Sequence, residues 1–325
     1  MIRSEAVLSA SSHALTPTVT VLMAAYNAEG FLQRAVTSVL AQSLPELELV
    51  IVDDASTDGT VALVERLTAT DSRIHLVRRD SNGGPAAARN AGLDVASGEW
   101  IAVLDADDAY LPRRLERIVA RARAVDADIV LDNLRYHNPD TGRLSPPALS
   151  QTSEIELITL PQFLSKARPY TGELDWGLLK PIMRRAFVQR HALRYPIFSR
   201  HGEDFLFMME AFLAGARCAL FREAGYLYTG RRQGYSRTTV NYQLMWRHAA
   251  ALMKDPRIAN DPAVRECLRQ RVAAVRRLAA ETDLESARRG RRYGLLAERF
   301  LLDGAFRSLV WEKVQRKLGR PPISP

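Results

Sequence analysis

Apolar and polar positions follow two alternating rhythms over the first 130 residues. Val19 to Ala25 is a short apolar run rich in β-branched residues and reads as a buried strand; Phe31, Leu32, Ala35, Val36, Val39 and Leu40 then repeat at helical spacing. Leu47 to Val52 is a second strand closed by Asp53 and Asp54. After the turn residues Ser56 to Gly59, the face Val61, Leu63, Val64 and Leu67 predicts a second helix. Ile74 and Leu76 mark a third strand. Asn82-Gly83-Gly84-Pro85 follows as a turn, with Pro at the first position of a helix over 85–96. Trp100 to Leu104 is a fourth strand ending in Asp105-Ala106-Asp107-Asp108. Pro112 then opens a helix whose face is Leu115, Ile118 and Val119, and Asp128 to Leu131 returns as a fifth strand.

Strands separated by helices predict an α/β fold, an open and mostly parallel sheet flanked by helices, because parallel neighbours need a crossover of helix size. The stretch from Tyr136 to Thr159, rich in Pro and Ser, reads as a long surface excursion, and from Ser236 onward the spacing is helical.

Composition narrows the class further. The chain of 325 residues is 47% hydrophobic and 25% charged, a balance that excludes a disordered or disulfide-dense chain. Cys218 and Cys267, its two cysteines, have no partner at metal-ligand spacing, which points to a reducing compartment. No apolar run reaches the roughly 20 residues of a membrane-spanning helix, and residues 1–17 lack the apolar centre of a secretory signal and read as a flexible tail. The net charge of +8 has an address: Arg265 to Arg320 carries 15 Arg and Lys against 7 Asp and Glu, so the rest of the chain is balanced.

Candidate chemistry gathers at the strand ends, where ligands of open α/β sheets bind. Tyr26-Asn27, Asp53-Asp54 and Asp105-Ala106-Asp107-Asp108 all fall there. Asp53 and Asp54 also suit ordinary turn formation and capping. Asp105 and Asp107, two residues apart, suit a hard divalent cation that also ligates a diphosphate, and the sparse ligand set favours Mg2+ or Mn2+ over calcium. Gly83 and Gly84 permit close backbone approach before a helix that carries Arg89, an arrangement able to hold a diphosphate; the glycines serve equally to turn the chain. No Gly-x-Gly-x-x-Gly follows the first strand and no Gly-Lys-Ser/Thr occurs, which removes the main support for dinucleotide oxidoreductases and P-loop ATPases.

The segments VTVLMAAYNAEGFLQRAVTSVLAQ, LVIVDDASTDGT, NGGPAAARNAG and GEWIAVLDADDAYLPRRL, in this order, resemble the nucleotide-sugar half of family 2 glycosyltransferases, which have the GT-A fold. DNL at 132–134, GLLKPIMRR, HGEDFLFMMEAFLAG and GYLYTGRRQGYSRT are similar to a narrower group, the glucosyltransferases that build succinoglycan-type exopolysaccharides. The resemblance implies a catalytic domain over 18–240, with a nucleotide-sugar half (18–134) and an acceptor half (135–240), followed by a basic helical region over 241–325. It further implies that Ala25, Tyr26 and Asp54 face the uracil and ribose of a UDP-sugar, with Asn27 and Asp53 at the same strand ends. Arg89 and Gly84 would lie near the diphosphate. Asp107 would be the principal metal ligand, Asp105 would share the metal and contact the donor, and Asp204 of the Glu203-Asp204 pair would be the catalytic base. Gly202 and the acidic helix start are also what an ordinary helix N-terminus looks like. In place of the Gln-x-x-Arg-Trp of processive synthases the chain has Arg231-Arg232-Gln233-Gly234-Tyr235-Ser236-Arg237, which implies transfer of one sugar per visit.

The expected activity is therefore inverting transfer of one sugar, glucose by the resemblance, from a UDP-sugar to a lipid-linked oligosaccharide in bacterial exopolysaccharide synthesis. The expected place is the cytoplasm, peripheral at the inner face of the cytoplasmic membrane. Trp176, Tyr195, Tyr226 and Tyr228 suit either the core or stacking on acceptor sugars. The amphipathic Arg-rich spacing of 264–318 fits an anionic membrane surface and fits packing on the catalytic domain equally well. Rival classes are a non-catalytic nucleotide-sugar-binding module, opposed by the intact acidic motifs, and a nucleotidyltransferase, whose Gly-rich N-terminal signature is missing. No recognised nucleic-acid module accompanies the positive charge.

Overall fold

The computed structural model describes residues 17–150, 152, 154–169, 173–199, 201–230, 241–290, 294, 297, 300, 301 and 303–317. The N-terminal tail up to residue 16, the Arg231 to Arg237 stretch and most of 291–302 lie outside the described residues.

The first half runs β1 (Val19–Ala25), α1 (Leu32–Leu40), β2 (Leu47–Asp53), α2 (Thr60–Thr70), β3 (Ile74–Arg78), α3 (Gly84–Val95), β4 (Trp100–Asp105), β5 (Ala109–Tyr110) and α4 (Arg114–Ala124). Next come β6 (Ile129–His137), β7 (Leu144–Pro147), β8 (Ile155–Ile158), α5 (Leu160–Lys166), a 3-10 turn at Trp176–Leu178, β9 (Ile182–Arg184), α6 (Arg185–Arg190), α7 (Glu203–Leu213) and β10 (Cys218–Thr229). The last helices are α8 (Tyr242–Leu252), α9 (Pro256–Ala259), α10 (Pro262–Arg289) and α11 (Gly304–Lys317).

One sheet has the order β3-β2-β1-β4-β9-β6-β10-β5. The four strands read most directly from the apolar runs, β3, β2, β1 and β4, are all parallel. Beyond them β9 enters antiparallel to both β4 and β6, while β10 pairs parallel with β6. The central strands are buried on both faces: Val19, Val21, Leu22 and Met23 of β1 and Ala102, Val103 and Leu104 of β4 are fully enclosed. Helix α1 lays Leu32, Ala35, Val36 and Val39 into the same core.

The segment expected as a surface excursion is more ordered than its polar composition indicated. β6 continues to His137, β7 folds back on it as a hairpin, and β8 pairs antiparallel with β10. Backbone pairing at the sheet's margin, which leaves half of each strand in water, needs no apolar periodicity to be satisfied.

The basic C-terminal region does not hang free. Ile258, Val264 and Leu268 join the main core, and Arg271 of α10 is buried with its guanidinium 3.5 Å above the Phe205 ring of α7. A small second cluster of Ala280, Phe306 and Leu309 fastens α11 to α10. The start of α10 thus packs on the main core, while Leu301 and Trp311 face outward.

Candidate active site

The ends of β1 and β2 meet in one polar cluster, and the end of β4 and the start of α7 share an ion-pair network, with α3 running from the first to the second. At the end of β1, Ala25 is buried and its carbonyl accepts from the Asp54 N–H at 2.8 Å. Tyr26 is half exposed. Asn27 adopts φ 48° and its Oδ1 accepts from Thr57 N at 2.8 Å, which ties the β1 and β2 loops together.

Asp53 folds back on its own turn, with Oδ2 accepting from Ser56 N at 3.2 Å. Asp54 is buried and accepts from Arg79 and from the N–H groups of Gly83 (3.1 Å) and Gly84 (2.7 Å). The Gly84 contact requires φ 82°, which a glycine adopts without steric cost. The N–H groups of Gly83 and Gly84 thus both bond the Asp54 carboxylate. A carboxylate at a helix N-terminus is electrostatically favourable, so Asp54 acts as the cap that fixes α3.

Fixing α3 aims Arg89. Its buried guanidinium donates to Asp105 Oδ1 at 2.8 Å, Asp204 Oδ1 at 2.9 Å and Glu203 Oε1 at 3.1 Å. Lys180 makes the matching bridge from the other side, with Nζ 2.6 Å from Asp204 Oδ2 and 2.9 Å from Asp105 Oδ2. Asp105 at the end of β4 and Asp204 at the start of α7 are thereby held by the same two cations. Gly202, at φ 77°, supplies the left-handed turn that brings Glu203 and Asp204 inward.

Burial alone would push Asp105 up, but Lys180 and Arg89 outweigh it and hold its carboxyl well below the usual range. Burial also opposes charge on Lys180, and Asp105 and Asp204 overcome it, so its ammonium is held well above the ordinary lysine value. Glu203 moves the other way: burial, then the neighbouring Asp204 charge, push it up against the pull of Arg89. Arg89 Nε and the Tyr195 hydroxyl are buried without a hydrogen-bond partner among the described residues.

Asp105, Asp107 and Asp108 place carboxylate oxygens within 4.8 Å of one another. Asp108 is buried, accepting from the Tyr226 hydroxyl (2.6 Å) and Thr229 N (2.7 Å). Burial, then Asp105 and Asp107, push its carboxyl well up. Such crowding of hard oxygen donors fits a divalent cation, which would relieve the mutual repulsion. Arg34 of α1 braces the loop, donating to Asp107 O at 2.6 Å and to Thr229 Oγ1, and meeting His137 Nδ1 at 2.9 Å.

Sequence reasoning missed Lys180, Arg34 and Arg79. Lys180 stands in the GLLKPIMRR segment, and a lysine followed by Pro inside an apolar run was the available signal. Asp132 of the DNL segment has a scaffold role: its carboxylate is held by the buried Arg114 at 2.6 and 2.8 Å, beneath the Tyr110 and Tyr226 rings. Tyr195, Tyr226 and Trp176 are buried, whereas Tyr228 is only partly so.

Residues 20–212 match the model of glycosyl transferase family 2. The succinoglycan biosynthesis protein ExoO of Rhizobium meliloti (strain 1021) is 40% identical over 221 residues, 68% of this chain; the chain covers 63% of ExoO, less than two thirds of that relative's length. The succinoglycan biosynthesis protein ExoU of the same organism is 32% identical over 257 residues, covering 76% of this chain and 73% of ExoU. The structure of residues 1–349 of S. aureus TarS in complex with UDP-GlcNAc shares the fold, with a TM-score of 0.64 at 21% identity over 93% of this chain and 92% of that one.

Proposed function

The chain belongs to glycosyl transferase family 2, and from that membership we propose that it moves one sugar, glucose, from a UDP-sugar to a hydroxyl of a lipid-linked oligosaccharide. The transfer inverts the anomeric centre and serves bacterial exopolysaccharide assembly at the inner face of the cytoplasmic membrane. Among the described residues no helix is long and apolar enough to cross a membrane. The names of ExoO and ExoU support the biosynthetic setting.

The observation that carries the reading is the double bridge: Arg89 and Lys180 each join Asp105 to Asp204. The bridge supports a donor and a base that face one cleft. The donor nucleotide would lie along Ala25, Tyr26, Asn27, Asp53 and Asp54, with Gly84 at the head of α3. Asp107 and Asp105 would hold Mg2+ or Mn2+, which supplies positive charge to the diphosphate. Asp204 takes the proton of the acceptor hydroxyl, whose oxygen then bonds the anomeric carbon. The bond from that carbon to the diphosphate oxygen breaks, and its electron pair leaves with UDP.

Arg89 and Lys180 pair with Asp204 before a donor enters, and a diphosphate between Asp105 and Asp204 would compete for the same cations. Glu203 is the second candidate base, favoured by its upward-shifted carboxyl.

Asp204→Asn and Glu203→Gln separate these roles. With UDP binding measured by calorimetry and UDP release by a coupled assay, Asp204→Asn is expected to keep donor affinity and lose roughly 10²- to 10⁴-fold in turnover. Loss of UDP binding in step with turnover would remove Asp204 from the role of base, and a larger turnover loss in Glu203→Gln would transfer that role to Glu203.

A further inference from the structure

Tyr136 lies directly across from Tyr228 in the parallel β6–β10 register, and the two rings meet edge to face at 5.8 Å and 78°. Tyr136 is 43% exposed, unusual for a large aromatic on a paired strand, while Tyr228 is half-buried. Tyr228 directly precedes Thr229, whose N–H donates to Asp108 at 2.7 Å, so the aromatic pair stands next to the acidic cluster along β10. Beside Tyr136 opens a cleft of about 510 Å³, walled further by His137, Asp140, Arg143 and Ser145. His137 connects that cleft to the cluster, since Arg34 bridges it to the Asp107 carbonyl.

An exposed ring braced by a second ring, above a polar wall of carboxylate, guanidinium and hydroxyl, matches the two faces of a pyranose. Sugar C–H groups lie on the electron-rich ring face, and the hydroxyls find hydrogen-bonding partners. The volume lies within the range of small-ligand sites, about 300–1,000 Å³. We propose that this cleft is the acceptor subsite, with an acceptor pyranose stacked on Tyr136 and its hydroxyls directed to Asp140, Arg143 and Ser145. The assignment rests on the transfer reading above, and Tyr136 then governs acceptor affinity without touching the donor.

The test uses the full chain with UDP present and octyl β-glucoside and octyl β-galactoside as probes, followed by saturation-transfer NMR. Wild type is expected to bind at least one glycoside. Tyr136→Ala should weaken it roughly tenfold, the upper end of what an aromatic face contributes, and Tyr136→Phe should stay within about threefold of wild type. UDP affinity, titrated on the same samples, should be unchanged in both variants, which also shows that they are folded. Absence of glycoside binding in wild type, or equal binding by Tyr136→Ala, overturns the assignment. Failure of wild type to bind UDP would instead count against the transfer reading, and the glycoside comparison would still decide the role of Tyr136.

Discussion

Replacing Lys180 with Met removes one of the two cations that join Asp105 to Asp204 while leaving a side chain of similar length in the buried space. Deleting one partner of a buried ion pair costs about 3–5 kcal/mol, because the remaining charge stays desolvated. Arg89 still faces both carboxylates, which sets the expectation near the lower end, about 3 kcal/mol. For a chain of this size that loss is roughly a 4 °C drop in Tm. The pH dependence has a definite sign. Asp105 is held below the usual range, so its stabilising share is present above its unfolded pKa, about 3.9, and is lost as pH falls through the folded value. Lys180 is raised, so its share is present below its unfolded pKa, about 10.4, and is lost as pH rises through the folded value. Differential scanning calorimetry of wild type and Lys180→Met should therefore show the full gap between about pH 5 and pH 9, narrowing below about pH 4 and closing only as pH falls through the folded value of Asp105. A gap that does not narrow at all below about pH 4, or no gap at pH 7, would refute the pairing of Lys180 with these carboxylates.

Chelation with EDTA is expected to weaken UDP binding as well as turnover, since a diphosphate would then meet Asp105 and Asp107 without a counter-charge; calorimetric titration with and without Mn2+ checks it, and indifference to EDTA would count against the acidic cluster. Arg34→Ala should lower Mn2+ affinity about 10- to 100-fold, because Arg34 braces the Asp107 backbone, and spin-resonance titration of free Mn2+ reads it; unchanged affinity would reduce Arg34 to packing. Sedimentation with anionic vesicles should retain the full chain at low salt and release it at high salt, and Leu301→Ser with Trp311→Ser should weaken retention severalfold; uncharged vesicles that retain it equally would argue against the basic region as the contact.

The parallel core was legible because β1, β2 and β4 are nearly continuous apolar runs, each ending in residues that stop a strand. The Asp105 to Asp108 cluster was legible for the same reason, as acid placed where a buried strand ends. What could not be read were the partners. Asp54 was legible as a polar residue at a strand end, but its bonds to Gly83 and Gly84 depend on where a loop 29 residues onward returns. Lys180 lies 75 positions beyond Asp105, and nothing in local periodicity reveals that two such side chains meet. The β7 and β8 strands were hidden for another reason: at the margin of a sheet, main-chain pairing holds residues whose side chains give no rhythm.

Arg271 has a consequence for anyone who would trim or recombine these enzymes. Its guanidinium roofs the ring next to Asp204 from a helix some sixty positions downstream, and Asp175 lies 4.0 Å away on the other flank. A chain shortened after Asn260, or a chimera joined just past Thr229, would strip that roof from the start of α7. Inactivity in such hybrids would then report a collapsed pocket before it reported anything about lipid attachment or borrowed sugar preference.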